Sequence, residues 1–175
     1  MKFTRVFAMP SAETFSIPPI RAFLARYISR EHVTLDPFAR NNTWATFSND
    51  LNPNTAARYH VDAGQFCSTL KVLGAKVDVA LFDPPYSPRQ ISEVYASIGL
   101  PCTSEDTQNA RLYKRVRDVM AQLVRPNGVV LSFGWNSAGM GKGRGYTIEE
   151  ILLVAHGGAH NDTICVAERR LTPSP

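Results

Sequence analysis

An acid, two prolines and an aromatic residue, Asp83-Pro84-Pro85-Tyr86, follow directly on the apolar run Val79-Ala80-Leu81-Phe82. An ionised carboxylate only accepts hydrogen bonds. The prolines stiffen a turn that exposes a main-chain carbonyl, and the aromatic ring offers a flat face. Together these groups make a clamp for a planar group bearing an exocyclic NH2, and the chemistry such a clamp serves is methyl transfer onto an amino nitrogen of a nucleobase. The plainer reading is a strand-ending aspartate that caps a tight Pro-Pro turn, with Tyr86 half-buried at the core edge. Three more acids, Asp36, Asp50 and Asp62, stand at the ends of short strand-like runs. Each of them alone reads equally well as a helix N-cap.

Bringing four acids together is the task of the elements between them. Short β-branched runs alternate with helical patterns, which predicts an α/β domain with a mainly parallel sheet. Ile20, Phe23, Leu24, Tyr27 and Ile28 recur at helical spacing and predict an amphipathic helix after Pro18-Pro19. A first strand at Val33-Thr34-Leu35 ends in Asp36-Pro37, and a second over Thr43 to Phe47 ends near Asn49-Asp50. A third, Tyr59-His60-Val61, ends in Asp62 and leads into a helical run reaching Leu73. The fourth, Val77 to Phe82, is apolar apart from Asp78, as suits a central strand covered on both faces. A helix over Gln108 to Arg125 should stop at Pro126-Asn127-Gly128, with a fifth strand at Val129 to Phe133. Ile148 to Ala155 and Thr163 to Ala167, joined by the turn-rich His156 to Asp162, predict a C-terminal antiparallel hairpin. In an open parallel sheet the carboxyl ends of the strands form the ligand-binding edge, and each predicted strand delivers its acid there.

Asp83-Pro84-Pro85-Tyr86, taken with Thr14-Phe15-Ser16-Ile17-Pro18-Pro19 and Asp36-Pro37-Phe38, resembles the AdoMet-dependent amino-methyltransferases that act on adenine N6, over roughly residues 14–133. The resemblance implies a Rossmann-like class I AdoMet-dependent methyltransferase fold with S-adenosyl-L-methionine as cofactor. It makes Asp83, Pro84, Pro85 and Tyr86 the catalytic group: Asp83 Oδ and the Pro84 carbonyl each accept one N–H of the target amine, and Tyr86 stacks on the flipped base. On the cofactor side it implies Thr14, Phe15, Ser16 and Ile17 before the first helix, and Asp36, Pro37 and Phe38 after the first strand, with Asp36 receiving the cofactor ammonium directly or through water. Asp50 would take the ribose hydroxyls and Asp62, followed by Ala63, the cofactor adenine amine, with Leu51 or Phe66 packing on that ring. Relatives usually continue Asp-Pro-Phe with two glycines, whereas this chain reads Ala39-Arg40-Asn41-Asn42. Losing the glycines removes easy access to positive φ, although Asn tolerates that conformation best among the other residues.

Trp135-Asn136-Ser137, after the fifth strand, either lines the target-base pocket or, for the tryptophan, belongs to the core. The segment Ala138 to Tyr146 is rich in glycine and carries Lys142 and Arg144. It reads as a mobile loop tracking phosphates or as a plain solvated connection. Ser87 to Gln90, with Arg89, and the stretch Gly99 to Thr107 are candidates to close over the base. His156 and His160 flank glycines, which argues against a metal site.

At 175 residues the chain predicts one domain, with no room for a separate target-recognition domain. The net charge of +4 and pI of about 9.1 weakly favour a polyanionic partner. Cys67, Cys102 and Cys165 are odd in number and lack metal-type spacing, which argues against a disulfide framework or a zinc site and for a reducing compartment. With no signal-like h-region and no bilayer-length apolar window, a cytoplasmic protein without a membrane partner is expected. The leading expectation is an N6-adenine methyltransferase on DNA, the Asp at the first motif position favouring adenine over cytosine within that resemblance. An RNA enzyme with the same chemistry and a non-catalytic AdoMet-fold subunit stand as alternatives, and a homodimer or a recognition subunit would supply sequence selectivity.

Overall fold

The computed structural model describes residues 1–85, 87–99, 101, 109–158 and 160–172. Tyr86, Cys102 and most of the stretch Gly99 to Thr107 therefore lie outside the described residues. In chain order the elements are β1 (Lys2–Phe7), a 3-10 turn (Thr14–Ser16), α1 (Pro18–Tyr27), β2 (Thr34–Asp36), β3 (Phe47–Ser48), α2 (Ala63–Val72), β4 (Val77–Phe82), α3 (Pro88–Ser97), α4 (Asn109–Leu123), β5 (Val124–Gly134), a second 3-10 turn (Lys142–Arg144), β6 (Tyr146–Ala155) and β7 (Thr163–Arg170). The strands form one sheet in the order β1-β6-β7-β5-β4-β2-β3. Pairing is parallel except along β7, which runs antiparallel to both β5 and β6. The expected α/β architecture with a C-terminal antiparallel hairpin is thus the one observed. Among the described residues no helix is long and apolar enough to cross a membrane.

Alternation along β4 sends successive side chains to opposite faces. Ala80 and Phe82 join Phe66, Leu70, Val116 and Met120 beneath α2 and α4, while Val79 and Leu81 join Ile20, Phe23, Leu24 and Leu131 beneath α1. Both faces of the central strand are therefore buried, which anchors its carboxyl tip against movement.

Five elements depart from the sequence expectation. The second strand shrinks to Phe47–Ser48, and the third, at Tyr59 to Val61, survives only as a single bridge between Asn49 and Tyr59. Here side chains outcompete the ladder: Asn49 bonds both main-chain groups of Val61, and Asp50 and Asn52 accept N–H groups two residues on. The presumed loop Ser87 to Gln90 instead opens α3, because Ser87 and Gln90 form a reciprocal capping box with Pro88 in the first turn. At the end of α4 the strand begins already at Val124, paired with Val77, and Pro126-Asn127-Gly128 is a bulge within it, Asn127 taking φ +64°. An edge strand, β1, was not anticipated at all; Phe3 and Phe7 on it stand exposed.

The glycine-rich segment after β5 descends across the α4 face. Arg117 Nη1 donates to the Gly139 carbonyl at 3.0 Å, and the fully buried Glu168 accepts the N–H groups of Met140 and Gly141. Gly139 has φ +50°, and a Cβ there would lie 2.0 Å from Glu168 Oε2. Gly139→Ala is expected to destabilise the protein by about 2 kcal/mol or more through clash and backbone strain together, measured as a lower urea midpoint at unchanged slope.

Candidate functional site

The carboxyl ends of β2, β3 and β4 bring three of the four acids to one edge. Asp36 closes β2 and is fully buried. Its Oδ1 accepts the Phe38 N–H and its Oδ2 the Asn42 amide, both at 2.9 Å. Burial, with the fields of Asp83 and Asp50 adding to it, outweighs those two donors and pushes the Asp36 carboxyl up to about 7.

Asp83 follows β4 directly and is half-buried, and its field reaches both Asp36 and Cys165. Pro84 is buried. The Pro85 carbonyl accepts the hydroxyl of Tyr113 on α4, and burial raises the Tyr113 phenol, which keeps it a donor at neutral pH. Beneath the turn Phe38, Phe82 and Tyr113 pack edge to face with ring centroids 5.8–6.1 Å apart. Such pairs each add about 0.5–1.5 kcal/mol beyond area burial, so the loop after β2 and the turn after β4 are joined through one aromatic cluster. Tyr113 was invisible to sequence reasoning, since at helical spacing it reads as a core residue of α4. Tyr86 lies outside the described residues.

Asp50 Oδ2 accepts the N–H of Arg40 and Oδ1 that of Asn52. Arg40 takes the left-handed conformation, φ +49°. Asn49, which the sequence reading passed over, is fully buried and ties the region together. Its amide donates to the carbonyls of Pro37 and Val61, and its main chain bonds Asp36 and Ala39. Asp62 is the N-cap of α2, accepting the Gln65 N–H at 2.9 Å, and Ala63 is buried behind it. Leu51 is half-buried, and Phe66 packs on the exposed Tyr59 at 5.2 Å.

In the segment before α1, Phe15 and Ile17 point into the core, Phe15 lying 4.8 Å from Phe133. Ser16 Oγ donates to the Glu13 carbonyl. Thr14 reaches the cleft that also has Phe38, Arg40, Asn42 and Asp83 in its walls. That cleft separates the β2 and β4 tips and measures about 20 Å³, close to the room one water needs.

Trp135 leaves the carboxyl edge of β5 and is 47% exposed, which excludes the core reading. Asn136 beside it accepts the Ala138 N–H. Arg89 lies on the first turn of α3, paired with Glu93 in solvent. Lys142 and Arg144 are not brought to this edge. Tyr146, at the start of β6, pairs with Arg170 at the end of the reversed β7, so the residues before it sit at the amino edge. There Arg144 is held by Asp118 at 2.7 Å and by the Met140 carbonyl. A larger cavity of about 330 Å³ also opens at the amino edge. Its arginines are engaged by carboxylates, Arg26 by Glu150, Arg125 by Asp78 and Arg169 by Glu149. His156 is buried and spends both ring nitrogens on the Ala8 carbonyl and Thr163.

No protein-family model matches the chain, and no curated protein matches it in sequence. Solved structures do match in fold. TrmN from Thermus thermophilus is 16% identical with a TM-score of 0.56, over 89% of this chain and 49% of its own. SMU.776, complexed with SAH, is 10% identical with a TM-score of 0.59, over 86% and 48%. The N-methyltransferase NodS from Bradyrhizobium japonicum is 11% identical with a TM-score of 0.51, over 89% and 96%. The architecture is accordingly the Rossmann-like fold of AdoMet-dependent methyltransferases. The chain spans about half the length of the first two proteins.

Because the folded carboxyl of Asp36 holds its proton up to about 7, against 3.8 when unperturbed, the native state binds more protons than the unfolded chain between those values. Stability contributed by the protonated form is complete below about pH 4 and is lost as pH rises toward 7, by on the order of 2–4 kcal/mol in all. Asp36→Asn should remove that component of the slope, as read from urea unfolding at pH 4, 5.5 and 7; parallel wild-type and variant profiles would contradict it.

Proposed function

We propose that this chain transfers a methyl group from S-adenosyl-L-methionine to the N6 amino group of adenine in DNA. The observation that carries the reading is the convergence, at the carboxyl ends of two adjacent parallel strands, of a buried acid closing β2 and a carboxylate with adjacent main-chain carbonyls on a pinned turn after β4. The donor set fits a cationic cofactor: Glu13 and Asp83 stand in the cleft walls, and Asp36 and Asp50 lie at the same sheet edge, bonded to the wall residues Phe38, Asn42 and Arg40. When bound, the cofactor supplies an electrophilic methyl group on sulfur.

The chain's own residues do the rest. Asp83 Oδ accepts one N–H of the adenine amine and the Pro84 carbonyl accepts the other, drawing the nitrogen toward a pyramidal geometry whose lone pair leaves the ring plane. Tyr113 keeps those two acceptors in place through the Pro85 carbonyl. Catalysis of this kind is positioning and electrostatics. Asp36 receives the ammonium, Asp50 the ribose hydroxyls through its remaining lone pairs, and Asp62 with Ala63 the cofactor adenine. Trp135, which is exposed, and the ring of Tyr86 would be the stacking faces for a flipped base, offsetting an unstacking cost of a few kcal/mol. DNA selectivity beyond the single base falls to a second copy or a recognition subunit.

Incubation of the protein with isotopically labelled S-adenosyl-L-methionine and a mixed pool of DNA and RNA should place the label in N6-methyladenine of DNA, identified by nucleoside mass spectrometry. Label in RNA alone would move the assignment to RNA, and no label in either would favour a binding subunit. Asp83→Ala should lower transfer by roughly 10²–10³-fold; full transfer by that variant would remove the carboxylate from the mechanism. Tyr113→Phe should remain folded and lower kcat about tenfold by loosening the turn, with KM for the cofactor unchanged.

A further inference from the structure

The methionine end of the proposed cofactor carries a carboxylate on the same carbon as its ammonium group. Asp36, the ammonium's partner in that reading, is fully buried and bonded to the cleft-wall residues Phe38 and Asn42, Glu13 and Asp83 stand in the walls themselves, and a carboxylate brought there needs a cation. Among the described residues with side chains in the cleft walls, which include Glu13, Thr14, Phe38, Asn42 and Asp83, Arg40 supplies the cationic side chain. Its main chain is fixed from the other side: the Arg40 N–H donates to Asp50 Oδ2 at 3.0 Å, and the backbone is left-handed at φ +49°. A non-glycine residue in that conformation is strained, so this side chain sits at a position where the backbone favours none.

The guanidinium is held by solvent-exposed partners. Nη1 donates to the Ala12 carbonyl, and Nη2 stands 3.5 Å from Glu13 Oε1, with the two side chains 54% and 42% exposed. An exposed pair at that distance contributes little, and its loss costs correspondingly little. The same contacts strap the segment before α1 across a cleft of about 20 Å³, so the strap must open before a ligand enters.

We infer that Arg40 is the receptor for the cofactor's α-carboxylate, leaving Glu13 and Ala12 to take it, so that one exchange of ion pairs opens the cleft and fills it. The inference rests on the methyltransferase reading and adds to it a residue that discriminates cofactors by their carboxylate. Arg40 would then be a bidentate partner, the geometry for which a guanidinium is suited and an ammonium is not.

The test is isothermal titration of wild type, Arg40→Gly and Arg40→Lys with S-adenosyl-L-methionine and with its decarboxylated counterpart. Glycine accepts the left-handed backbone without strain, so the first variant retains the loop, and a thermal unfolding midpoint at or above that of wild type confirms it. Wild type should prefer the carboxylated ligand. Arg40→Gly should lose roughly 10- to 100-fold in affinity for that ligand alone, leaving the two ligands nearly equal, and Arg40→Lys should recover part of the difference. If Arg40→Gly binds the carboxylated ligand as tightly as wild type or more tightly, or weakens toward both ligands equally, Arg40 is a strap only and the inference is overturned. Wild type that binds neither ligand overturns the methyltransferase reading itself, and with it this role for Arg40.

Discussion

A carboxylate buried completely at the tip of β2 sets the terms for the whole site. An ionised or even protonated carboxyl out of water needs hydrogen-bonding partners, and Asp36 finds them within its own loop, in the Phe38 N–H and the Asn42 amide. Satisfying that one group bends residues 37–42 back on themselves. The bend places Phe38 over the aromatic cluster, turns Arg40 into the left-handed region and aims Arg40's N–H at Asp50. Asn49 then fastens the bent loop to the stretch before α2. The cleft is what remains between this loop and the turn after β4.

That turn is rigid for a different reason. β4 is the strand with helices over both faces, and its apolar residues alternate between two cores. Movement at Asp83 would have to be transmitted into close-packed side chains on either side, which resist it. The Tyr113 hydroxyl on Pro85 adds a bolt from α4, and the Phe38, Phe82 and Tyr113 rings carry the same constraint across to the loop after β2. The loop after β2 and the turn after β4 are thereby mechanically one piece.

The two edges of the sheet divide the charges. At the carboxyl edge burial, with Asp83 and Asp50 adding to it, raises Asp36, and the gathered acids suit a cationic ligand. At the amino edge Arg26, Arg125 and Arg169 meet Glu150, Asp78 and Glu149, and Arg144 meets Asp118, so charge there is spent on holding elements together. The positive net charge of the chain therefore does not describe the site, because most of the described arginines with ion pairs lie where no ligand chemistry is assembled.

The α/β alternation, the central strand, the hairpin and the edge that collects the acids were legible in the linear chain, because hydrophobic period and turn chemistry are local properties. So was the capping signal of Ser87 and Gln90, although it was passed over. Which residues bolt the site together was not legible: Tyr113 and Asn49 act on partners 28 and 12 positions away, and nothing in their own surroundings marks them. The same holds for Lys142 and Arg144, which follow the fifth strand in sequence yet cross to the far edge because Glu168 on a reversed strand draws the glycine-rich segment down the sheet. Sequence by itself determined which chemical groups stand at each strand end, since that follows from pattern and turn type. Tertiary structure alone decided which of them share a cleft and which are spent elsewhere, since burial, long-range hydrogen bonds and strand direction are properties of the assembled sheet.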